Sequence, residues 1–346
     1  MTSIARTSIA IAVLACSWAM NTAEAFAQGA AAHAYDKSSI ERALSGAIAK
    51  FKGNNEGKNA DYIPALAKVP SKLFGIALVT VGGDAYASGD VDAPFSIQSI
   101  SKVFTMARVM QDSGPDVFLS GVGVDATGQA FNSIIAIEQY KGHEMNPLVN
   151  PGAIATTGMV AGKTDSEKWA RILATYEDFA GRELEVNQEV YKSEASTNQR
   201  NQAIAMLMSA YGLIKDDPLM VTDVYTRQCS VNVSAKDLAM MAATLANGGK
   251  NPLTKKQVID AKYVPKILAV MATAGLYDNS GIWLFNVGLP AKSGVGGGIL
   301  AVAPGRFGIA AFAPPLDEAG NSVRSQLAIR HVAEQLGANP YASTPR

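Results

Sequence analysis

The sequence has few of the side chains on which most metal sites and many catalytic triads depend. Its 346 residues include three histidines, His33, His143 and His331, and these are far apart. Neither a zinc site nor a Ser-His-Asp triad is therefore expected. Thirty cationic residues balance thirty anionic ones, so the chain also lacks the excess of positive charge that marks nucleic-acid-binding domains.

The apolar run near the start of the chain is too short to span a bilayer as a permanent anchor. Arg6 supplies a positive charge before this run, and Ala25-Phe26-Ala27 follows it as a small-residue cleavage site. This order is typical of a secretory signal peptide. We therefore expect residues 1–27 to be removed and the mature protein to be periplasmic or secreted. Cys16 would leave with the signal, so Cys229 could form no intrachain disulfide.

The rest of the chain has enough apolar residues for a large core. Hydrophobic residues make up 48% of the sequence and charged residues 17%, which suits one large domain or two interlocked lobes. Short apolar runs between turn residues predict strands at 73–81, 85–88, 281–287, 299–302 and 307–312. Apolar residues at helical spacing predict helices at 40–51, 99–110, 154–160, 166–179, 198–211, 234–246, 265–274 and 322–336.

Strands at both ends of the chain, with helices between them, predict an α+β fold. In such a fold an antiparallel sheet is flanked by helices, and here it would carry an inserted, all-helical lobe. We expect residues 28–346 to form one catalytic domain, with the helical lobe at about 113–276.

Ser99 and Lys102 form the motif Ser-x-x-Lys at the start of a predicted helix. At about 100° per residue, the two side chains share one helix face with apolar residues. A serine hydroxyl becomes a good nucleophile when a base removes its proton, and a lysine can be that base only if burial or a nearby cation lowers its pKa. An amine on the apolar side of a helix is placed where this can happen. A motif this short is also typical of a helix N-terminus with a solvated lysine.

Lys292-Ser293-Gly294 lies between two predicted strands and precedes the Gly-rich stretch Val295-Gly296-Gly297-Gly298. Lys-Ser/Thr-Gly is the third signature of the penicillin-recognising serine enzymes, whose first signature is Ser-x-x-Lys. Both motifs occur here in the same order, so we expect a β-lactamase/transpeptidase-like fold in which they line one cleft. The middle signature is less clear, because Ser230-Val231-Asn232 fits it but the residues before it do not.

Several longer motifs resemble another family of the same fold, the serine-dependent glutaminases. The resemblance covers about residues 40–335, and its departures are Pro151 in place of the usual Ala, Ser325 in place of the usual Gly, and the signal peptide. The motifs that carry it are Asp61-Tyr62-Ile63-Pro64-Ala65-Leu66-Ala67, Phe95-Ser96-Ile97-Gln98-Ser99-Ile100-Ser101-Lys102, Asn146-Pro147-Leu148-Val149-Asn150, Glu194-Ala195-Ser196-Thr197-Asn198-Gln199-Arg200-Asn201, Tyr225-Thr226-Arg227-Gln228-Cys229-Ser230, the Tyr277 segment, Lys292-Ser293-Gly294-Val295 and Gly320-Asn321-Ser322-Val323-Arg324.

The resemblance implies hydrolysis of L-glutamine to L-glutamate and ammonia. Ser99 would attack the side-chain amide and form a γ-glutamyl ester, Lys102 would be its base, and Tyr225 would relay protons. The developing oxyanion needs two N–H donors, and the backbone N–H groups of Ser99 and Val295 would supply them. How Lys102 and Tyr225 divide the role of base is left open.

The same resemblance implies how the substrate is held. Glu194 would pair with the α-ammonium group, while Asn150 and Asn201 would donate to the α-carboxylate. Glu194 and Asn201 are seven residues apart, so they could share a face if that segment is one helix. Tyr62 and Tyr277 would close the pocket. The full set implied to bind substrate is Tyr62, Ser99, Asn150, Glu194, Asn201, Tyr225, Tyr277 and Val295.

No metal or organic cofactor is expected, since a hydroxyl, an amine and backbone donors suffice for amide hydrolysis. Lys292 is expected to act structurally or electrostatically. The partners expected are the small-molecule substrate and other copies of the chain, as a dimer or tetramer, with no nucleic acid and no stable membrane anchor. Two other functions remain open: a penicillin-binding or β-lactamase-like enzyme of the same fold, and a non-catalytic exported protein that senses an amino acid.

Overall fold

The computed structural model describes residues 36–143 and 145–342. The predicted signal peptide and its cleavage site lie outside the described residues. The helices of four or more residues, numbered in chain order, are α1 (Lys37–Phe51), α2 (Pro64–Ala67), α3 (Ser101–Ser113), α4 (Asp116–Leu119), α5 (Ile134–Tyr140), α6 (Asn150–Met159), α7 (Asp165–Ala180), α8 (Gln188–Ala195), α9 (Gln199–Ala210), α10 (Pro218–Cys229), α11 (Ala235–Ala246), α12 (Val264–Ala274), α13 (Ser280–Val287) and α14 (Val323–Gln335).

The main sheet has five antiparallel strands in the order β2-β1-β7-β6-β5. Two strands come from the first third of the chain and three from its last fifth, so the sheet joins the two ends of the sequence. A second, two-stranded sheet pairs β3 with β4. The strands are β1 (Gly75–Thr80), β2 (Ala85–Gly89), β3 (Phe95–Ser96), β4 (Asn232–Val233), β5 (Ala291–Ser293), β6 (Gly298–Ala303) and β7 (Phe307–Phe312).

The centre of the main sheet is fully buried. Every residue of β6 and β7 is buried, and a strand buried throughout must be covered on both faces. Helices α11 and α14 both pack on β1, β6 and β7. At Gly308 a Cβ atom would collide with the backbone of Ala242 and Ala243, so glycine allows α11 to lie directly on β7. The α+β expectation is confirmed.

The small sheet connects the main sheet to the Ser-x-x-Lys motif. The Phe95 ring on β3 stacks on the Phe312 ring of β7, with centroids 3.9 Å apart, and Phe95 is paired with Val233 of β4. A 3₁₀ turn, Gln98–Ile100, follows β3 and leads directly into α3. The start of α3 is therefore anchored to the rigid centre of the sheet.

One predicted element was wrong. Residues 281–287, predicted as a strand, lie in α13, which buries Trp283 and Val287 on one side and leaves Phe285 88% exposed. A short apolar run does not by itself distinguish a strand from a helix. The helix ends at Gly288, which has φ 77° and whose N–H donates to the carbonyl of Leu284, a glycine-terminated helix end that the run of apolar residues obscured.

Helices dominate the stretch between β3 and β5, where the helical lobe was predicted. The limits of that lobe, and of the catalytic domain, stay predictions. No helix within residues 36–143 and 145–342 is both long and apolar enough to cross a membrane.

Candidate active site

A cleft of about 320 Å³ opens beside the 3₁₀ turn that carries Ser99. Its wall combines this turn, the starts of α6 and α9, parts of α8 and α10, and the loop after β5. The lining residues are Tyr62, Ile63, Gln98, Ser99, Phe131, Asn132, Asn150, Glu194, Thr197, Asn198, Arg200, Asn201, Tyr225 and Val295. Seven of the eight residues expected to bind substrate are among them, and the eighth, Tyr277, lies just behind.

The turn before α3 holds Ser99 at the cleft in an unusual backbone conformation. Gln98 has φ 49°, the left-handed region that residues other than glycine rarely adopt. Such strain persists only where the surroundings enforce it. The Gly-rich stretch after β5 does so, because a Cβ at Gly294 would lie 2.8 Å from the carbonyl oxygen of Ile97. The third motif thus packs against the backbone of the first.

Lys102 lies under the cleft, one turn after Ser99, and is 1% exposed. Its Nζ donates to Asn150 Oδ1 at 2.7 Å and to the carbonyl oxygen of Leu148 at 3.4 Å. Burial lowers the pKa of Lys102 to about 8, although negative charge at Cys229 or Glu194 would raise it. In the part of the chain that the structure describes, no carboxylate forms an ion pair with this amine. Roughly a tenth of the amine is therefore neutral at pH 7, far more than at the ordinary pKa of 10.5.

Asn150, at the start of α6, connects the other polar groups. Its Oδ1 also accepts a hydrogen bond from the Tyr225 hydroxyl at 3.3 Å, and its Nδ2 donates to Asn201 Oδ1 at 3.0 Å. Burial raises the pKa of Tyr225 well above its ordinary value, so the phenol keeps its proton at neutral pH. The ring of Tyr225 lies 5.9 Å from Lys102 Nζ.

Glu194 is buried on the opposite wall. Its Oε2 accepts a hydrogen bond of 3.1 Å from Gln98 Nε2. Burial raises the pKa of Glu194 to about 7, while the bond from Gln98 and the charge of Lys102 act to lower it. The condition for Glu194 and Asn201 to share one helix face is not met, because they lie on α8 and α9, which the break at 196–198 separates.

Tyr277 closes the cleft from behind. Its hydroxyl donates to the carbonyl oxygen of Ser293 at 3.4 Å, and its ring centroid is 4.7 Å from that of Phe131. Burial raises the pKa of Tyr277 to about 12, although hydrogen bonds with Ser99 and Ser293 act against this. Lys292 Nζ sits 4.1 Å from the same ring and donates to the carbonyl oxygens of Gly275 and Ser293. Lys292 thus supports the back wall.

Tyr62 and Val295 complete the cleft. Tyr62 lies at its rim and is 56% exposed, whereas Val295 is buried in the loop after β5. Phe131, Asn132 and Arg200 were not anticipated as lining residues. The loop around Phe131 has no regular apolar spacing, so no sequence pattern predicts its position.

Gln98 was also not predicted to line the cleft, although its position next to Ser99 in the sequence could have indicated this. Arg200 donates to the carbonyl oxygen of Asn132 through both Nε and Nη2 and so ties this loop to α9. Among residues 36–143 and 145–342, no group of three His, Cys, Asp or Glu side chains could hold a metal ion.

The fold and the cleft define a class of protein: an α+β enzyme with a small polar site built around Ser-x-x-Lys and Lys-Ser-Gly. Comparison with known proteins identifies the family. The sequence profile of the glutaminase family matches residues 57–341. A glutaminase of Colwellia psychrerythraea is 55% identical over 300 residues, which are 87% of this chain and 96% of that protein.

A glutaminase of Mycobacterium ulcerans is 51% identical over 297 residues, 86% of this chain and 93% of that protein. Among solved structures, a probable glutaminase, ybaS, superposes with a TM-score of 0.88 at 48% identity, covering 89% of this chain and all of that one. The structure of Mglu in its glutamate form gives a TM-score of 0.84 at 37% identity, covering 88% of this chain and 71% of that one. The chain belongs to the glutaminase family, so the resemblance seen in its motifs is confirmed.

Proposed function

We propose that this glutaminase hydrolyses L-glutamine to L-glutamate and ammonia through a γ-glutamyl ester on Ser99, with Lys102 as base and Tyr225 as proton relay. The observation that carries the proposal is the buried amine of Lys102, whose pKa is about 8. A lysine with the ordinary pKa of 10.5 would be almost entirely protonated at neutral pH and could not accept a proton. Burial makes this one available as a base.

The hydrogen bonds of Lys102 also leave its nitrogen lone pair available to accept a proton. A neutral amine has two hydrogens and one lone pair. Both hydrogens have acceptors, in Asn150 Oδ1 and the carbonyl oxygen of Leu148. The lone pair is left for a third direction, and Ser99, three residues before Lys102, lines the cleft.

The reaction then needs two proton transfers in each half. Lys102 takes the hydroxyl proton as Ser99 Oγ bonds to the amide carbon of the substrate. The carbon–nitrogen bond breaks, and the nitrogen leaves as ammonia with a proton delivered through the Tyr225 hydroxyl, which is replenished from Lys102. Water next attacks the ester, gives its proton to the same pair, and Ser99 recovers its hydrogen as glutamate leaves.

Oxyanion stabilisation falls to the backbone N–H groups of Ser99 and Val295. These groups come from the two segments that press together where Gly294 meets Ile97. Because that contact is between backbones, the spacing of the two donors is fixed before substrate arrives, which is the condition for effective electrostatic stabilisation.

The substrate itself is a zwitterion, and the cleft offers complementary groups. Glu194 would accept the α-ammonium, and binding a cation would shift its raised pKa back down. Asn150 and Asn201, joined by a hydrogen bond, would present amide hydrogens to the α-carboxylate. Tyr62 at the rim and Tyr277 at the back would close the pocket over the bound amino acid.

The test is ammonia release from L-glutamine by the unaltered protein and by Ser99→Ala. The substitution should lower turnover by at least roughly a thousandfold, and intact-protein mass spectrometry should detect a glutamyl adduct on the unaltered protein only. L-asparagine, nitrocefin and a fluorescent penicillin serve as comparison substrates. Ser99→Ala with undiminished turnover refutes the ester, and covalent penicillin labelling with no ammonia release supports the penicillin-binding alternative instead.

We also propose that the protein acts outside the cytoplasm as a homo-oligomer. The charged start, apolar run and cleavage site within residues 1–27 support export, and the family resemblance supports a dimer or tetramer. N-terminal sequencing should find Gln28 as the first residue of the exported protein. Light scattering on the purified enzyme should give a mass of two or four chains, and a monomer would refute the assembly.

A further inference from the structure

A cluster of buried polar side chains lies behind the cleft, one turn away from the groups proposed for catalysis. Thr105 follows Lys102 by three residues on α3, and Gln228 follows Tyr225 by three residues on α10. Thr157, on the helix that Asn150 begins, and Tyr176 of α7 complete the set. None of these four side chains is more than 1% exposed. We refer to Thr105, Thr157, Tyr176 and Gln228 as the hydroxyl cluster.

Five hydrogen-bond distances connect this cluster to itself and to two backbone carbonyls. One end of the Gln228 amide touches both threonine hydroxyls, while Gln228 Nε2, at the other end, has no partner in the part of the chain that the structure describes. The five distances are Gln228 to Thr105 Oγ1 3.0 Å, Gln228 to Thr157 Oγ1 3.3 Å, Thr105 Oγ1 to Tyr176 OH 2.6 Å, Tyr176 OH to the Ser101 carbonyl 3.0 Å, and Thr157 Oγ1 to the Ala153 carbonyl 3.0 Å.

Each of these five contacts needs one hydrogen. If the amide oxygen of Gln228 faces the threonines, the three hydroxyl groups supply three hydrogens, so two contacts lack one. At the same time the two hydrogens on Gln228 Nε2 are buried without an acceptor. A buried donor without an acceptor loses its hydrogen bonds to water with no replacement, so this orientation is unfavourable for both reasons.

We propose that the Gln228 amide turns its NH₂ group toward Thr105 and Thr157, and that the resulting hydrogen-bond chain positions the first turn of α3 for catalysis. The oxygen and nitrogen of an amide are nearly equal in size, so the exchange changes no heavy-atom contact. Five hydrogens now serve five contacts. What remains unpaired is one carbonyl oxygen, which proteins tolerate better than a buried N–H.

The chain of bonds has one direction in this arrangement. Gln228 donates to Thr105, Thr105 donates to Tyr176, and Tyr176 donates to the carbonyl oxygen of Ser101. Ser101 stands between Ser99 and Lys102 in the sequence. The chain therefore links α10, which carries Tyr225, to the turn that carries the proposed nucleophile and base, and Thr157 adds α6.

Because no member of the hydroxyl cluster lines the cleft, loss of the chain should slow the chemical step and leave substrate affinity intact. Thr105→Val keeps the shape of the side chain and removes its hydroxyl, and we expect kcat to fall about tenfold with KM changed less than twofold. Thr105→Ser restores the hydroxyl and should restore kcat to within about twofold.

The matched control is Thr156→Val, since Thr156 is equally buried but, among the described residues, its hydroxyl bonds to the Gly152 carbonyl of its own helix and not to the hydroxyl cluster. A loss of kcat in Thr105→Val no larger than that in Thr156→Val overturns the proposal, as does a defect in Thr105→Ser equal to that in Thr105→Val. If Thr105→Val fails to fold, Tyr176→Phe removes a single oxygen and provides the same comparison.

The continuity of the chain is tested by combining Gln228→Met with Tyr176→Phe. Among the described residues, Thr105 is hydrogen-bonded to both of these side chains. A continuous chain therefore predicts that the second substitution lowers kcat much less once the first is made, whereas independent effects that simply add overturn the proposal. The inference rests on the proposed roles of Ser99 and Lys102. The two can fail separately, because full activity of Ser99→Ala refutes the mechanism and full activity of Thr105→Val refutes only the positioning chain.

Discussion

The hydrogen bond from Gln98 to Glu194 should determine how strongly the enzyme binds its substrate, and how this depends on pH. Gln98 Nε2 lies 3.1 Å from Glu194 Oε2 and 3.2 Å from Ser96 Oγ. Gln98→Met keeps the length of the side chain and removes the donor. The donor favours the charged form of Glu194 and lowers its pKa, so the substitution should raise this pKa above its present value of about 7.

The expected change in KM can be worked out because Gln98 and Glu194 are both buried. A hydrogen bond to a charged group contributes about 1.5–3 kcal/mol, which corresponds to a change of about 10- to 150-fold in affinity. In the proposed mechanism the α-ammonium of the substrate binds to ionised Glu194, and the variant has less of this form wherever the pH is below the raised pKa. KM should therefore rise most near pH 6, and the difference between variant and parent should shrink as the pH approaches 8.5.

The assay is steady-state ammonia release at several pH values, with kcat and KM separated. Gln326→Met is the control, because Gln326 makes the same kind of bond, 2.8 Å to Asp317 Oδ2, outside the cleft. A KM ratio that does not vary with pH would refute the reasoning. So would a full additional loss on introducing Gln98→Met into a Glu194→Gln background, where no carboxylate remains to be held.

Two further substitutions test the base and the packing of the motifs. Lys102→Met should lower kcat by at least roughly a thousandfold and yet raise thermal stability. In the folded protein the pKa of Lys102 is about 8, below the ordinary 10.5, so burying the protonated amine destabilises the fold by on the order of 3 kcal/mol. This destabilisation is fully present below pH 8 and is lost above pH 10.5. Calorimetry should therefore find that Lys102→Met raises the melting temperature more at pH 7 than at pH 10. Gly294→Ala places a Cβ 2.8 Å from the Ile97 carbonyl and should lower kcat about tenfold or more, whereas Gly281→Ala, with nothing within 4 Å, should leave kinetics unchanged.

The elements that the sequence predicted well are those with complete local signals. Residues 166–179 were predicted as a helix and α7 spans Asp165–Ala180. Its period is regular, Thr164 caps its start through a bond to the N–H of Glu167, and Gly181 ends it in the left-handed conformation. These signals act within a few residues, so no knowledge of the rest of the fold is needed to read them.

Helix α10 was not predicted, because its buried positions give no clear contrast between an apolar and a polar face. In α10 the consecutive residues Val224, Tyr225 and Thr226 are all buried, so no stripe marks the helix. The cleft could also be predicted only in part from the sequence. Residues in recognised motifs were correctly expected to line it, but Phe131 and Asn132 come from an irregular loop. The path of that loop depends on Arg200, 68 residues after Asn132 in the chain.

Burial makes the site difficult to predict from the sequence, and it also shifts the pKa values on which the proposed chemistry depends. It disfavours the charged forms of Lys102 and Glu194 together, while each charge favours the other, so near neutral pH the charged and neutral forms of each group are in balance. The proposed substrate breaks this balance. Its α-ammonium would stabilise the Glu194 carboxylate and, as a nearby positive charge, would disfavour protonation of Lys102. We therefore expect binding of the amino acid itself to produce the protonation states that the proposed chemistry requires, and an amide without an α-ammonium would leave the base protonated for more of the time.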